Sequence, residues 1–137
     1  MSDSSQSQFI HLRCHSEYSI SDGIVRIPDY VKKALETNMP ALGLTDLSNL
    51  FGAVKFYKSA IASGIKPIFG VDVWIENDAS SEQPHKMLLL CQNQQGFNNL
   101  SELLSKAYLE NQVRGKPMIK KNWIFESHDG LIVLSGS

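Results

Sequence analysis

Short apolar runs and amphipathic stretches take turns along this chain, and that alternation restricts its fold more than any other feature. Phe9 to Cys14 reads as a strand, followed by a polar turn through Ser19, Ser21, Asp22 and Gly23, the kind of loop on which chemistry often sits. A helix fits Pro28 to about Thr37, because proline suits a first helical position and Val31, Ala34 and Leu35 recur at helical spacing. Asn38 marks its exit. Ala41 to Thr45 reads as a buried strand, and Asn49 can cap a helix in which Leu50, Val54, Tyr57 and Ile61 share one face until Gly64 stops it. Ile65 to Ile75 is the next strand, and a polar loop runs from Glu76 to Pro84. Lys86 to Cys91 follows as a strand, and then an amphipathic helix buries Phe97, Leu100, Leu103, Leu104 and Ala107 and ends near Glu110. A basic linker, a short aromatic segment at Trp123 to Phe125 and an apolar strand at Gly130 to Leu134 complete the pattern.

Alternating strands and helices imply an α/β fold of parallel strands joined by crossovers, in an open sheet or a closed barrel, and periodicity alone does not choose between them. The last strand has no helix after it to cover it. Parallel sheets are normally buried on both faces, so the natural polypeptide is expected to continue. At 42% hydrophobic and 20% charged, 137 residues make one globular domain or part of one, with residues 1–8 as a loose tail. A net charge of −1 gives no global attraction for phosphate backbones. Lys106, Arg114, Lys116, Lys120 and Lys121 outnumber Glu110 in the basic linker, but a scattered run of this kind is more often solvated surface than a phosphate track. Cys14 and Cys91 lie in apolar runs without metal-type spacing, which reads as buried thiols in a reducing compartment. No apolar run approaches the ~20 residues of a membrane span and the start is not a signal sequence, so the expected location is cytoplasmic.

The residues capable of chemistry gather where strands end: His11 and His15 on the first, Asp22 in its loop, Asp46 after the second, Asp72 in the third, His85 before the fourth. In α/β folds the carboxyl ends of the strands form the active face. Each residue also has a plain structural role open to it. The histidines serve equally as hydrogen-bonded or surface residues, Asp22 before Gly23 is an ordinary turn residue, and Asp46 with Ser48 and Asn49 is an ordinary helix entry.

The wording of the segments adds to this reading. His-Leu-Arg-Cys-His-Ser-Glu-Tyr-Ser-Ile-Ser-Asp-Gly, from His11, closely resembles the opening motif of the polymerase and histidinol phosphatase (PHP) domain of bacterial DNA polymerase III alpha subunits. Met-Pro-Ala-Leu-Gly-Leu-Thr-Asp-Leu-Ser-Asn-Leu-Phe-Gly, from Met39, is similar to the second motif, and Gly-Ile-Lys-Pro-Ile-Phe-Gly-Val-Asp-Val, from Gly64, to the third. The resemblance runs from Phe9 to the end and implies the N-terminal part, about the first half, of a distorted β/α barrel.

Catalytic members of the wider family resemble metal-dependent phosphoesterases, whose strand-end histidines and carboxylates hold metals that activate water. Against their pattern, Arg13 replaces the first histidine of His-x-His and Leu47 replaces the histidine of Thr-Asp-His. Asp72 stands for a glutamate, and His15, Asp22 and His85 match ligand positions. The resemblance therefore implies a vestigial site with no bound metal and no catalytic residue in this segment. The implied role is a scaffold in the catalytic subunit of a replicative DNA polymerase, docking a separate proofreading exonuclease. DNA and the other holoenzyme subunits would meet the rest of the parent protein, whose downstream polymerase domain would use magnesium. Arg13 either takes over the lost metal charge by bridging Asp22 and Asp72 or is a plain surface arginine. A stand-alone metal-dependent phosphoesterase is the alternative, and it needs the ligands that Arg13 and Leu47 displace.

Overall fold

The computed structural model describes residues 10–19, 25–76 and 84–135. The expected N-terminal tail, Asp22 and most of the Glu76–Pro84 loop fall outside these ranges.

Helix α1, Ile27–Glu36, carries Pro28 in its first turn and buries Ile27, Val31 and Ala34 at helical spacing. It exits through Asn38, held at φ 58°, a left-handed conformation that asparagine tolerates better than most residues. Strand β1, Ala41–Leu47, is buried along its whole length. It pairs in parallel with β2, Lys66–Ile75, in a register running from Ala41 opposite Lys66 to Leu47 opposite Asp72. Between them lies helix α2, Ala53–Ala62, which Gly64 terminates at φ 73°.

The sheet is mixed rather than parallel throughout. Strand β3, His85–Cys91, runs antiparallel to β2, because the nine residues from Glu76 to Pro84 are too few for the crossover that a parallel return needs. Helix α3, Gln94–Glu110, begins earlier than its apolar stripe suggests, since Asn93 caps it by accepting the Gly96 N–H at 2.9 Å. Its exit leads to a hairpin that the sequence pattern did not reveal. Strands β4, Gln112–Val113, and β5, Lys116–Ile119, flank a two-residue turn with Arg114 and Gly115 both at positive φ. Strand β5 then pairs in parallel with Trp74 and Ile75. Since β3 occupies the other edge of β2 there, β5 continues the edge that β1 uses lower down. The aromatic segment forms helix α4, Lys121–Glu126, and β6, Leu131–Ser135, closes the sheet antiparallel to β3.

Two clusters make the core. Ile27, Val31, Leu42, Leu44, Phe56 and Ala60 pack α1 and α2 against β1, while Val71, Val73, Ile75, Leu89, Leu100, Leu103 and Trp123 pack α3 and α4 against β2 and β3.

Three expectations are corrected. Residues 10–15 do not form a regular strand: Gly43 N–H donates to the His11 carbonyl and Thr45 N–H to that of Cys14, so three residues advance against two and no even ladder can form. In α2 the buried face is Ala53, Phe56 and Ala60, whereas Val54, Tyr57 and Ile61 are exposed. Asn49 does not cap α2, whose N-cap is Gly52. It closes the preceding turn, accepting the Phe51 N–H and donating to the Tyr18 carbonyl. Both cysteines are free and half-buried, and burial raises both thiol pKa values, that of Cys91 to about 11. No helix among the described residues is long and apolar enough to cross a membrane.

Candidate functional site

The site is built on the end of β2. Side chains alternate across a strand, so Val71, Val73 and Ile75 enter the core beside α3 while Asp72 and Trp74 emerge on the opposite face. Asp72 is wholly buried there. Leu47, its partner in the parallel register, shares that face and is also buried. Residues 10–15 run beside β1, and from this segment Arg13 and His15 both reach Asp72. The Arg13 Nε–H donates to Asp72 Oδ2 at 2.7 Å, and His15 Nε2 lies 2.5 Å from the same oxygen. The close approach of this segment requires a glycine below it, because a Cβ at Gly43 would sit 2.6 Å from the Leu12 carbonyl oxygen.

Four of the six positions that the family pattern picks out thus converge: Arg13, His15, Leu47 and Asp72. His85 does not join them. It pairs in register with Ile75, and the strand alternation places it on the α3 side of the sheet, at the exposed start of β3. Asp22 lies outside the described residues, so of the expected bridge the Arg13–Asp72 half is seen. His11 contributes its backbone carbonyl to Gly43.

Asp46 has a different task. Its side chain lies on the opposite face of β1 from Leu47 and is buried. Oδ1 accepts from Ser16 N–H at 2.5 Å and from the Ser19 hydroxyl at 2.9 Å, and Oδ2 accepts from the Ser16 hydroxyl at 2.7 Å. The Ser19 hydroxyl oxygen in turn accepts from Leu47 N–H at 3.0 Å. With its acceptor sites committed to these donors, this carboxylate pins the segment carrying Arg13 and His15 onto β1. Ser16 and Ser19 went unrecognised in the sequence, where serines in a polar turn look like solvated loop residues. The Tyr108 hydroxyl, donating to the Ser48 carbonyl at 2.9 Å, ties α3 to the same strand end.

These residues do not suit a metal ion. A guanidinium has only donors, and an aliphatic side chain offers nothing to coordinate. The two ligand types that remain, His15 and Asp72, are hydrogen-bonded directly to each other. Among the described residues no group of three or more His, Cys, Asp or Glu side chains is arranged to hold a metal. Asp72 Oδ1 is buried with no hydrogen-bond partner among the described residues. What the arrangement does is neutralise a buried carboxylate with a permanent cation on a well-fixed segment.

The chain has counterparts among known proteins. Residues 11–137 match the PHP domain family. The chain is 46% identical over 132 residues to the DNA polymerase III subunit alpha of Vibrio cholerae, covering 96% of this chain and 11% of that protein. The subunits of the same name from Escherichia coli K12 and Pseudomonas aeruginosa are 42% and 41% identical, over 96% and 94% of this chain. The chain thus spans only about 11% of the length of these relatives. A crystal structure described as that of a metal-dependent phosphoesterase from Bifidobacterium adolescentis superposes with TM-score 0.59 at 14% identity, covering 76% of this chain and 34% of the other. An amidohydrolase from Chromobacterium violaceum gives TM-score 0.51 at 20% identity, covering 71% and 34%. At these identities the likeness speaks for the fold alone.

Proposed function

The chain belongs to the PHP domain family, and from that premise we propose that it is the N-terminal segment of the catalytic alpha subunit of a replicative DNA polymerase III. The observation that carries the proposal is the 46% identity that runs over nearly the whole chain yet covers only the 11% of an alpha subunit that it matches. In this reading the segment makes no bond itself. DNA-directed nucleotide addition belongs to a downstream domain of the parent protein that uses magnesium, and the protein works in the cytoplasm with the other holoenzyme subunits.

The role of this segment is that of a scaffold with a vestigial metal site, docking the proofreading exonuclease. The Arg13–Asp72 pair supports the first half of that statement, because the guanidinium stands where the family pattern puts a ligand and holds the carboxylate that would otherwise need a metal. His15, Asp22 and Asp72 are remnants of the ligand set, His85 faces away from it across the sheet, and Arg13 and Leu47 are the substitutions that ended it. A stand-alone phosphoesterase would need what these two replaced.

The experiment is a blot of cell extract with an antibody raised against this chain. The reading expects a product roughly nine times the chain's 15.3 kDa, with 3′-to-5′ exonuclease activity retained through its purification. A product of 15.3 kDa would overturn it.

A further inference from the structure

The four lysines gathered around the two tryptophans have no part in the site described above. Trp74 emerges on the Asp72 face of β2, and Lys86 reaches it from β3, its partner in register, with Nζ 4.7 Å from the ring centroid. Lys116 reaches the same ring from β5 on the other edge, at 4.5 Å. The two ammonium groups therefore lie within about 9 Å of each other. Around the end of the sheet the arrangement recurs, with Lys106 of α3 at 4.6 Å and Lys120 at 5.8 Å from the Trp123 ring centroid. Arg114 and Lys121 are exposed beside them.

A cation over an aromatic face is held in place without being neutralised. Among the described residues no carboxylate pairs with any of these four lysines, although exposed ion pairs do form elsewhere, as between Lys55 and Glu17. Glu102 and Glu110 stand one helical turn to either side of Lys106 in α3, and Glu76 donates its N–H to the Ile119 carbonyl, yet none of the three makes an ion pair with these lysines. Like charges brought this close repel unless an anion lies between them. The spacing says which kind of anion. From Lys116 to Lys120 the backbone advances about 13 Å at the rise of a strand, too far for one phosphate to span and suited to a chain of them.

We propose that this end of the sheet, through Lys86 and Lys116 over Trp74 and Lys106 and Lys120 over Trp123, binds the phosphate backbone of single-stranded DNA. The lysines act as fixed point charges that carry no sequence preference. The whole chain has a net charge of −1, so the attraction is local to this surface. The proposal does not depend on the polymerase reading: DNA bound here by a protein that cannot extend a primer would refute that reading and leave this one standing.

The test uses the intact native protein that contains this chain and a fluorescent thymidine oligonucleotide, with affinity measured by anisotropy between 50 and 200 mM salt, the range of about 50–200 mM over which counterion release is read. The slope of log affinity against log salt should fall in magnitude by about 1.4 in K86Q/K116Q and again by about 1.4 when K106Q/K120Q is added. K86R/K116R should keep the wild-type slope. Unchanged slopes in folded glutamine variants would overturn the proposal. So would inorganic phosphate displacing the oligonucleotide more effectively than chloride at equal ionic strength, which would mark a small-anion site instead. A second measurement needs no variant: bound oligonucleotide should protect these four lysines from acetylation in the wild-type protein, and labelling unaffected by DNA would equally refute the idea.

Discussion

Replacing Arg13 by alanine removes the one permanent cation that the described structure sets against a carboxylate with no exposure to solvent. Asp72 is 0% exposed, whereas the Arg13 side chain is 34% exposed. Losing one partner of a fully buried ion pair costs about 3–5 kcal/mol, and a hydrogen bond to a charged group is worth about 1.5–3 kcal/mol. Arg13 borders solvent, so water can partly replace it, and His15 remains on the same oxygen. The expected cost is therefore near the lower figure, about 2 kcal/mol. In a long multidomain protein a single unfolding free energy is poorly defined, so the assay is amide hydrogen exchange of the β1 and β2 peptides in the intact protein. Exchange there should accelerate by about 30-fold, the factor that about 2 kcal/mol represents. Arg13→Ala combined with Asp72→Asn should recover much of the loss, since a neutral amide no longer needs the cation, and the coupling between the two changes should exceed about 1 kcal/mol. Unchanged exchange in Arg13→Ala, or strictly additive effects in the double variant, would refute the ion pair as the replacement for a metal.

Other consequences are open to simpler checks. Gly43→Ala should release the segment that carries Arg13 and His15, because the new methyl would meet the Leu12 backbone, which has no flexible end to move aside; proteolysis near residues 10–15 of the intact protein would report it, and unchanged resistance would contradict the packing described. Dialysis against EDTA should leave hydrogen exchange in β1 and β2 as it was, whereas faster exchange after chelation would reveal a metal holding this site. Burial pushes the Cys91 thiol up to about 11, so at pH 8 its thiolate fraction is about a hundredfold below that of an ordinary thiol, and iodoacetamide should modify it correspondingly slowly. The sign for stability follows from the same shift. The unfolded thiol ionises first, so the stabilisation from a protonated Cys91 is complete below the ordinary thiol value and is lost as pH rises toward about 11; a Cys91→Ser variant should lose less stability than wild type over that window.

Much of the fold was legible because period and punctuation agreed. Pro28 and Asn38 bracket α1, Gly64 ends α2, and the stripe from Leu100 to Ala107 fixes the inward face of α3. The misreading of α2 has a physical cause. Val54, Tyr57 and Ile61 make one helical stripe, and Ala53, Phe56 and Ala60 make another, rotated by about one residue. Counting apolar bulk favours the first, but the helix packs through the second, whose two alanines let the backbone come close while Phe56 fills the space between α1 and β1. The parallel expectation failed at β3 because a period-based reading sees each strand alone, and only the shortness of the connection between Ile75 and His85 signals the reversal. The β4–β5 hairpin left a faint trace in Gly115, since Arg114 is an unusual residue at positive φ.

At the site, the motif positions led to Arg13, His15, Leu47 and Asp72, which the fold brings together. Their spacing did not disclose that His85 lies across the sheet. A strand residue's face depends on pairing register, and one residue of shift moves every side chain to the other side. Nor did the sequence show Asp46 as a hydrogen-bond hub, because Ser16 and Ser19 lie about thirty residues away along the chain and meet it only in the folded structure.

Template-directed primer extension by the native gene product, captured with an antibody against this chain and supplied with magnesium and deoxynucleoside triphosphates, tests the central claim most directly. Extension of the primer by a protein roughly nine times the size of this chain is the expected result, with activity unchanged in Arg13→Lys, as the proposed scaffold role requires. A captured product of any size that leaves the primer unextended would contradict the account.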